Sequence, residues 1–209
     1  MREITKDELT EILNKHQAWL RDEDGGGRAD LSYADLRYAD LRSANLSPAD
    51  LRYADLRYAN LSSANLSPAD LRYADLRSAN LSSANLSYAD LRYADLRYAN
   101  LSSANLSYAD LRYANLRYAN GNAAQLKTIY LETYPIAYTA EYLQIGCERH
   151  PISDWWAFDD ARIAKMDGTT ASAFWGKWKT ILRQLIEMSP ATPTGHKSAD
   201  ETPIQESAA

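Results

Sequence analysis

Residues 49–68 read Ala49-Asp50-Leu51-Arg52-Tyr53, Ala54-Asp55-Leu56-Arg57-Tyr58, Ala59-Asn60-Leu61-Ser62-Ser63, Ala64-Asn65-Leu66-Ser67-Pro68. The pattern runs without a gap from Ala29 to Asn120, with Leu at every fifth position from Leu31 to Leu116, eighteen times, and Ala two residues before each. A period of five matches neither the 3.6-residue face of a helix nor the two-residue face of a strand. Ala-x-Leu is a two-step alternation, so both side chains point the same way along a short extended segment. The next two residues must then turn the chain. Short strand, corner, short strand, corner is the path of a β-solenoid, and a repeat this strict has to be settled before any other element.

The outward residues show how many sides a coil has. Before Leu the chain runs Asp50, Asp55, Asn60, Asn65, then Asp70, Asp75, Asn80, Asn85; after Leu it runs Arg52, Arg57, Ser62, Ser67, then Arg72, Arg77, Ser82, Ser87. Both series cycle every twenty residues, so four pentapeptides per coil stack like on like. Arg52, Arg72, Arg92 and Arg112 fall in one column, and Pro48, Pro68, Tyr88 and Tyr108 in another. Coils are expected about 4.8 Å apart. Asn45, Asn65, Asn85 and Asn105 are placed for an amide ladder between coils. Each buried Leu contributes about 1.5–3 kcal/mol, set against the entropy of ordering the chain. The small Ala lets a narrow prism close.

These residues closely resemble the pentapeptide repeat family, whose motif is Ala-(Asp/Asn)-Leu-x-x. The resemblance implies an all-β solenoid, a right-handed quadrilateral β-helix with Leu and Ala inside. The uniformity of the repeats fits recent duplication or a consensus design. The expected organisation is an N-terminal capping helix and Gly linker over 1–27, the β-helix over 28–132, a small α+β C-terminal cap over 133–188 and a disordered tail over 189–209.

Residues 5–22 read as an amphipathic helix, with Thr5 and Glu8 as a capping box and Leu9, Ile12, Leu13 and Leu20 on one face beside His16 and Trp19. Such a helix suits the open end of a solenoid. Gly25 to Gly27 form a joint. Past Asn120, Ala124-Gln125-Leu126 and Ile129-Tyr130-Leu131 return in register, which predicts one more partial coil. Residues 133–188 hold four of the five Trp and both Phe. There, Tyr142 to Gly146 reads as a strand ending at Gly. Asp160 to Met166 reads as a short helix, with Asp159 or Asp160 at its N-terminus. Thr170 to Met188 reads as a longer helix with Phe174, Trp178, Ile181, Leu182 and Leu185 on one face. This segment is similar to C-terminal segments of some bacterial and phage-encoded members of the family, and no activity follows from that. From Ser189 the chain is polar, as disordered tails are.

Charge and composition limit function. Residues 28–120 carry eleven Arg and ten Asp and are nearly neutral, although the chain as a whole has a net charge of -5. Direct nucleic-acid binding is not expected, because each Arg column has an Asp column alongside and leaves no net pull on phosphate. Cys147 is the only cysteine, so no internal disulfide forms. No apolar run is long enough to span a bilayer, and the charged start is unlike a secretory signal; a cytoplasmic location is expected. Cys147 and His150 form a Cys-x-x-His pair, but a thiolate nucleophile needs the base alongside, and a metal site needs further ligands. His16 and His196 lie at the extremes of the chain. No enzyme activity, cofactor or metal is expected. Cys147 reads as a semi-buried packing residue, and His150 as a turn residue before Pro151.

The expected role is a structural or protein-interaction scaffold. Its candidate surface is Arg52, Arg57, Arg72, Arg77, Arg92 and Arg97 with Tyr53, Tyr73, Tyr93 and Tyr113, since Arg and Tyr favour interfaces. The same columns also read as a solvated face in which Asp and Arg neutralise each other. Substituting Arg72→Glu is expected to alter binding and leave the fold intact. The resemblance implies one alternative, a DNA-mimic modulator of a type II topoisomerase (DNA gyrase). The near-neutral solenoid and the absence of Phe from the repeats depart from that pattern. A protein partner and a homodimer through the C-terminal helix are the expected associations.

Overall fold

A computed structural model describes residues 1–122 and 124–192. The repeats form a four-sided coil. Residues twenty apart pair as parallel bridges, from Asp30↔Asp50 through Asn45↔Asn65 and Asp75↔Asp95 to Asn100↔Asn120. The bonds alternate in direction: Leu31 N–H donates to Asp50 C=O at 2.8 Å, and Asp50 N–H to Ala29 C=O at 3.0 Å. Every Leu from Leu31 to Leu116 is buried, and the inward Ala residues from Ala49 to Ala119 are buried beside them.

The corners explain the five-residue period. Ala34 N–H donates back to Leu31 C=O, closing a four-residue turn, and the same bond recurs at Ala54, Ala74 and Ala94. Outside the corners at Pro48 and Pro68, the third residue of each turn has a positive φ, from 54° at Ser43 to 63° at Tyr93, as a type II turn requires. Glycine normally fills that position, and an L side chain there costs about 1–2 kcal/mol. Here Tyr or Ser occupies it in coil after coil. Proline cannot take a positive φ, and the corners at Pro48 and Pro68 have cis peptide bonds instead.

Both ends of the coil are covered. At the start, β1 (Arg2–Glu3) pairs in parallel with β2 (Ala34–Asp35) on the first coil. Helix α1 (Lys6–Leu20) begins at a Thr5 N-cap: Thr5 N–H donates to Glu8 Oε2 at 2.8 Å and Glu8 N–H to Thr5 Oγ1 at 3.2 Å. Ile4, Leu9, Ile12 and Leu13 pack on the solenoid core. His16, read as flanking the apolar face, is fully buried; its Nδ1 accepts from Ala29 N–H at 3.1 Å. That hydrogen bond ties α1 to the first repeat, and burial lowers the imidazole pKa, so the ring is held neutral.

The C-terminal segment corrects one expectation. Residues 124–131 do not make another coil. Leu126 is buried against the solenoid core, but β3 (Lys127–Tyr130) pairs antiparallel with β4 (Pro135–Tyr138). The sheet continues in order with β5 (Tyr142–Ile145) and β6 (Glu148–Pro151). The in-register Ala-x-Leu signal therefore ends at Leu126, because the next residues find antiparallel partners rather than a coil beneath them. Two helices follow, α2 (Ile152–Ala157) and α3 (Asp160–Met188). α3 starts at an Asp159 cap, with Arg162 N–H donating to Asp159 Oδ1 at 2.7 Å, and is broken at Asp167 and Gly168, whose φ of 57° is left-handed. Its buried stripe is Ala171, Phe174, Trp175, Leu182 and Ile186. Ile181 and Leu185, expected on that face, are 42% and 38% exposed. The stripe is rotated because Trp155 and Trp156 pack against Trp175.

The expected tail does not begin at 189. Ala191 is buried, Thr192 N–H donates to Ala124 C=O at 3.0 Å, and Tyr138 Oη–H donates to Ser189 C=O at 2.8 Å. The remainder of that tail, with His196, lies outside the described residues.

Leu71 is fully buried in the middle of the stack. Leu71→Ala should cost about 2–5 kcal/mol in denaturant unfolding, while Ser82→Ala on the outside should stay within about 0.5 kcal/mol. A Leu71→Ala loss no larger than that of Ser82→Ala would overturn the leucine core.

Candidate protein-interaction surface

The two charged sides are built one pentapeptide at a time. Each Asp accepts the backbone N–H two residues on, as Arg52 N–H to Asp50 Oδ1 at 3.1 Å. The Arg side chain then folds back onto the same carboxylate: Arg52 Nε and Nη2 lie 2.9 and 2.5 Å from Asp50 oxygens. Arg57 on Asp55, Arg72 on Asp70, Arg77 on Asp75, Arg92 on Asp90 and Arg97 on Asp95 repeat this fork. Where the next coil also has Asp, the Arg approaches it: Arg52 Nε to Asp70 at 3.6 Å, Arg72 to Asp90 at 3.5 Å and Arg92 to Asp110 at 3.4 Å. The columns are continuous alternating ladders. Arg72→Glu would place a third carboxylate between Asp70 and Asp90, so it should carry a stability cost beside any effect on binding.

Beyond the Asp40–Arg42 pair on the first coil, the other two sides carry Asn and Ser. Asn65 Nδ2 donates to Asn45 Oδ1 and Asn85 Nδ2 to Asn65 Oδ1, each at 3.1 Å, and Asn105 Nδ2 to Asn85 Oδ1 at 3.4 Å. This is the amide ladder expected from the spacing. A second one joins Asn60, Asn80, Asn100 and Asn120.

The corner between the two charged sides carries the longest aromatic stack. Tyr33, Tyr53, Tyr73, Tyr93 and Tyr113 stack ring on ring, with centroids 4.8 Å apart and planes within 7°. Each is 41–68% exposed. Arg52, Arg72 and Arg92 precede these corners, and Arg57, Arg77 and Arg97 follow on the adjoining side. Tyr33, absent from the candidate set, completes the stack; its place one coil below Tyr53 was its signal. Shorter stacks join Tyr38 to Tyr58, Tyr88 to Tyr108 and Tyr98 to Tyr118.

The C-terminal unit grips the last coil with polar side chains that spacing did not reveal. Gln144 Oε1 accepts Leu116 N–H at 3.0 Å, and its Nε2 donates to Asn115 Oδ1 at 3.2 Å. Arg149 Nη1 donates to Leu111 C=O, and its guanidinium lies 4.6 Å from the Tyr142 ring centroid. Burial pulls the Arg149 pKa down to about 10.

Cys147 and His150, from which no activity was expected, have different surroundings. His150 Nε2 bonds Glu148 Oε2 at 2.9 Å, and the ring packs edge-on against Trp155 and Phe158. Cys147 is exposed, not semi-buried as expected, because it sits in the turn between β5 and β6. Among the described residues no cluster of metal-binding side chains occurs, and no helix is long and apolar enough to cross a membrane.

A four-sided coil of five-residue units with stacked side-chain ladders defines a repeat solenoid. The pentapeptide repeats family model matches residues 29–67, 44–82, 59–97 and 84–120, and the chain belongs to that family. Among solved structures it is similar to Rfr23 from the cyanobacterium Cyanothece 51142, with 37% identity over 47% of this chain and 65% of that one, at a TM-score of 0.43. It is also similar to alr5209 from Nostoc PCC 7120, with 34% identity over 54% of this chain and 93% of that one, at a TM-score of 0.45. HetL, a pentapeptide repeat protein involved in heterocyst differentiation regulation in Nostoc sp. strain PCC 7120, shares 42% identity over 46% of this chain and 48% of that one, at a TM-score of 0.25. The chain thus spans just under two thirds of the length of Rfr23, and about half that of HetL. No curated protein matches it.

Hydrogen bonds from Arg52 hold the Asp50 carboxyl below its ordinary pKa, and Arg37 and Arg42 do the same for Asp35 and Asp40. Stability from carboxylates lowered on folding is complete above the unfolded value of about 3.9 and is lost as pH falls through the lower folded values. Melting monitored by circular dichroism should show no change from these pairs between about pH 7 and 5, where their stabilisation is fully present, and a fall below about pH 4. Asp50→Asn should shrink that fall; an identical acid profile would remove the ladder as its cause.

Proposed function

We propose that the chain is a non-enzymatic protein-interaction scaffold whose docking edge is the five-tyrosine stack with its flanking arginines. The observation that supports this is the exposure of Tyr33, Tyr53, Tyr73, Tyr93 and Tyr113 in a fixed, mutually stacked row. Stacking has already restricted these side chains, so a partner meets a preorganised aromatic strip at reduced entropic cost. Tyr and Arg carry a large share of binding energy at interfaces. The arginine forks are occupied by Asp, so Arg52, Arg72, Arg92, Arg57, Arg77 and Arg97 act as a rim and the tyrosines as the anchor. A cytoplasmic location belongs to the same reading. So does pairing of two copies through α3, which the exposed Ile181, Leu185 and Met188 support and a monomer's sedimentation coefficient would remove.

Ser63, Ser83 and Ser103 hold the same corner geometry with φ of 57–58°. Tyr→Ser at a corner therefore leaves the backbone path unchanged. The triple variant Tyr53→Ser, Tyr73→Ser, Tyr93→Ser should still unfold cooperatively and should lose at least about tenfold in affinity for proteins captured by the unaltered chain. Full retention of those proteins would exclude this edge.

The alternative, mimicry of DNA toward gyrase, needs a continuous negative stripe. Both Asp columns are matched by guanidinium groups at 2.5–2.6 Å along Asp50, Asp70, Asp90 and along Asp55, Asp75, Asp95. Titrated into a gyrase supercoiling reaction, the protein should leave the rate unchanged at micromolar concentration. Inhibition there would reverse the charge argument.

A further inference from the structure

One arginine of the charged ladders has lost its carboxylate. In the column of Arg57, Arg77 and Arg97, each fork closes on the Asp two residues before. In the last unit that residue is Asn115. Among the described residues, the Arg117 guanidinium meets the Tyr118 ring at 5.1 Å but forms no ion pair, and its Nε is buried without a hydrogen-bond partner. A second orphan donor lies nearby in the fold: the indole N–H of Trp175, a residue only 4% exposed, has no acceptor.

Both residues line one cavity of about 310 Å³ between the last coil and the C-terminal unit. That is near the lower end of the range for small-ligand sites, about 300–1,000 Å³. Its walls include the rings of Tyr134, Trp155 and Phe174. Two acids also reach it, and both are engaged: Asp167 accepts the Tyr134 hydroxyl, and Glu148 bonds His150 at 2.9 Å and lies 4.0 Å from Arg162. A buried polar group without a partner costs about 1–3 kcal/mol, and two such donors facing no protein acceptor call for acceptors from outside. A carboxylate meets a guanidinium with paired hydrogen bonds. The aromatic walls select a flat ring to carry it.

We propose that this cavity binds a small aromatic monocarboxylate, with Arg117 holding the carboxylate and the indole N–H of Trp175 donating to the ligand.

Calorimetric titration with 2-naphthoate, 2-naphthamide and 2-naphthylmethylammonium tests this on the intact chain. The carboxylate should bind at least about tenfold more tightly than the amide, and the ammonium weakest. In Arg117→Gln the carboxylate-to-amide ratio should fall to about one with the melting temperature unchanged. The Trp175 indole signal in ¹⁵N-correlated spectra, assigned by its loss in Trp175→Phe, should move downfield on adding 2-naphthoate. An amide or ammonium that binds as tightly as the acid, an unchanged ratio in Arg117→Gln, a static Trp175 signal or no binding up to millimolar concentration would each overturn the proposal. The unaltered chain's discrimination among the three ligands decides the matter even if a variant fails to fold.

Discussion

A leucine at every fifth position must reach the same axis, and the rest of the molecule follows from that constraint. Five residues allow one short extended segment and one turn, so the turn has to be tight and its third residue takes a positive φ. Four such turns close a coil, and the next coil falls directly on it, twenty residues later. Identical residues are thereby stacked at the spacing of neighbouring strands. Nothing outside the prism chooses its own neighbours: Asp meets Asp and Arg, Asn meets Asn, Tyr meets Tyr.

Stacking of identical residues creates a charge problem that the sequence resolves locally. A bare Asp column would repel itself at every step. Along the Asp columns each Arg sits two residues after its Asp and folds back onto it, and it leans toward the next Asp where the stack has one. Such surface pairs contribute little singly, but here they form an ordered network whose field cancels along the rod. The exposed feature left without a complement on the charged half is the tyrosine seam. At the last coil the pattern ends at Asn115, which instead accepts a hydrogen bond from Gln144 of the C-terminal sheet. With asparagine at 115 in place of the column's aspartate, Arg117 Nε is left without a hydrogen-bond partner.

Residues with a strict period were legible from the chain alone. The core leucines, the twenty-residue coil, the Asn45–Asn105 ladder and the Thr5–Glu8 capping box all follow from spacing, because neighbours in the stack are fixed by sequence distance. The break of α3 near Gly168 was legible as two helical runs separated by a glycine. Beyond Leu126 that logic stops. Ile129 could lie inward in a coil or along a strand edge, and its antiparallel partner Ile136 settled the choice. Ile181 and Leu185 fit an apolar helical face, yet the packing of Trp155 and Trp156 on Trp175 turned them outward. Arg117 differed from its column mates only through Asn115, a signal present in the sequence whose consequence depended on the cap.

By itself, then, the sequence determined the prism, its register and its surface columns, because a rigid short period leaves each residue one set of neighbours. Tertiary structure alone decided how the ends close, which face of α3 is buried and that Arg117 and Trp175 share a cavity. Those contacts join segments whose separation in the chain carries no period, so only packing brings them together.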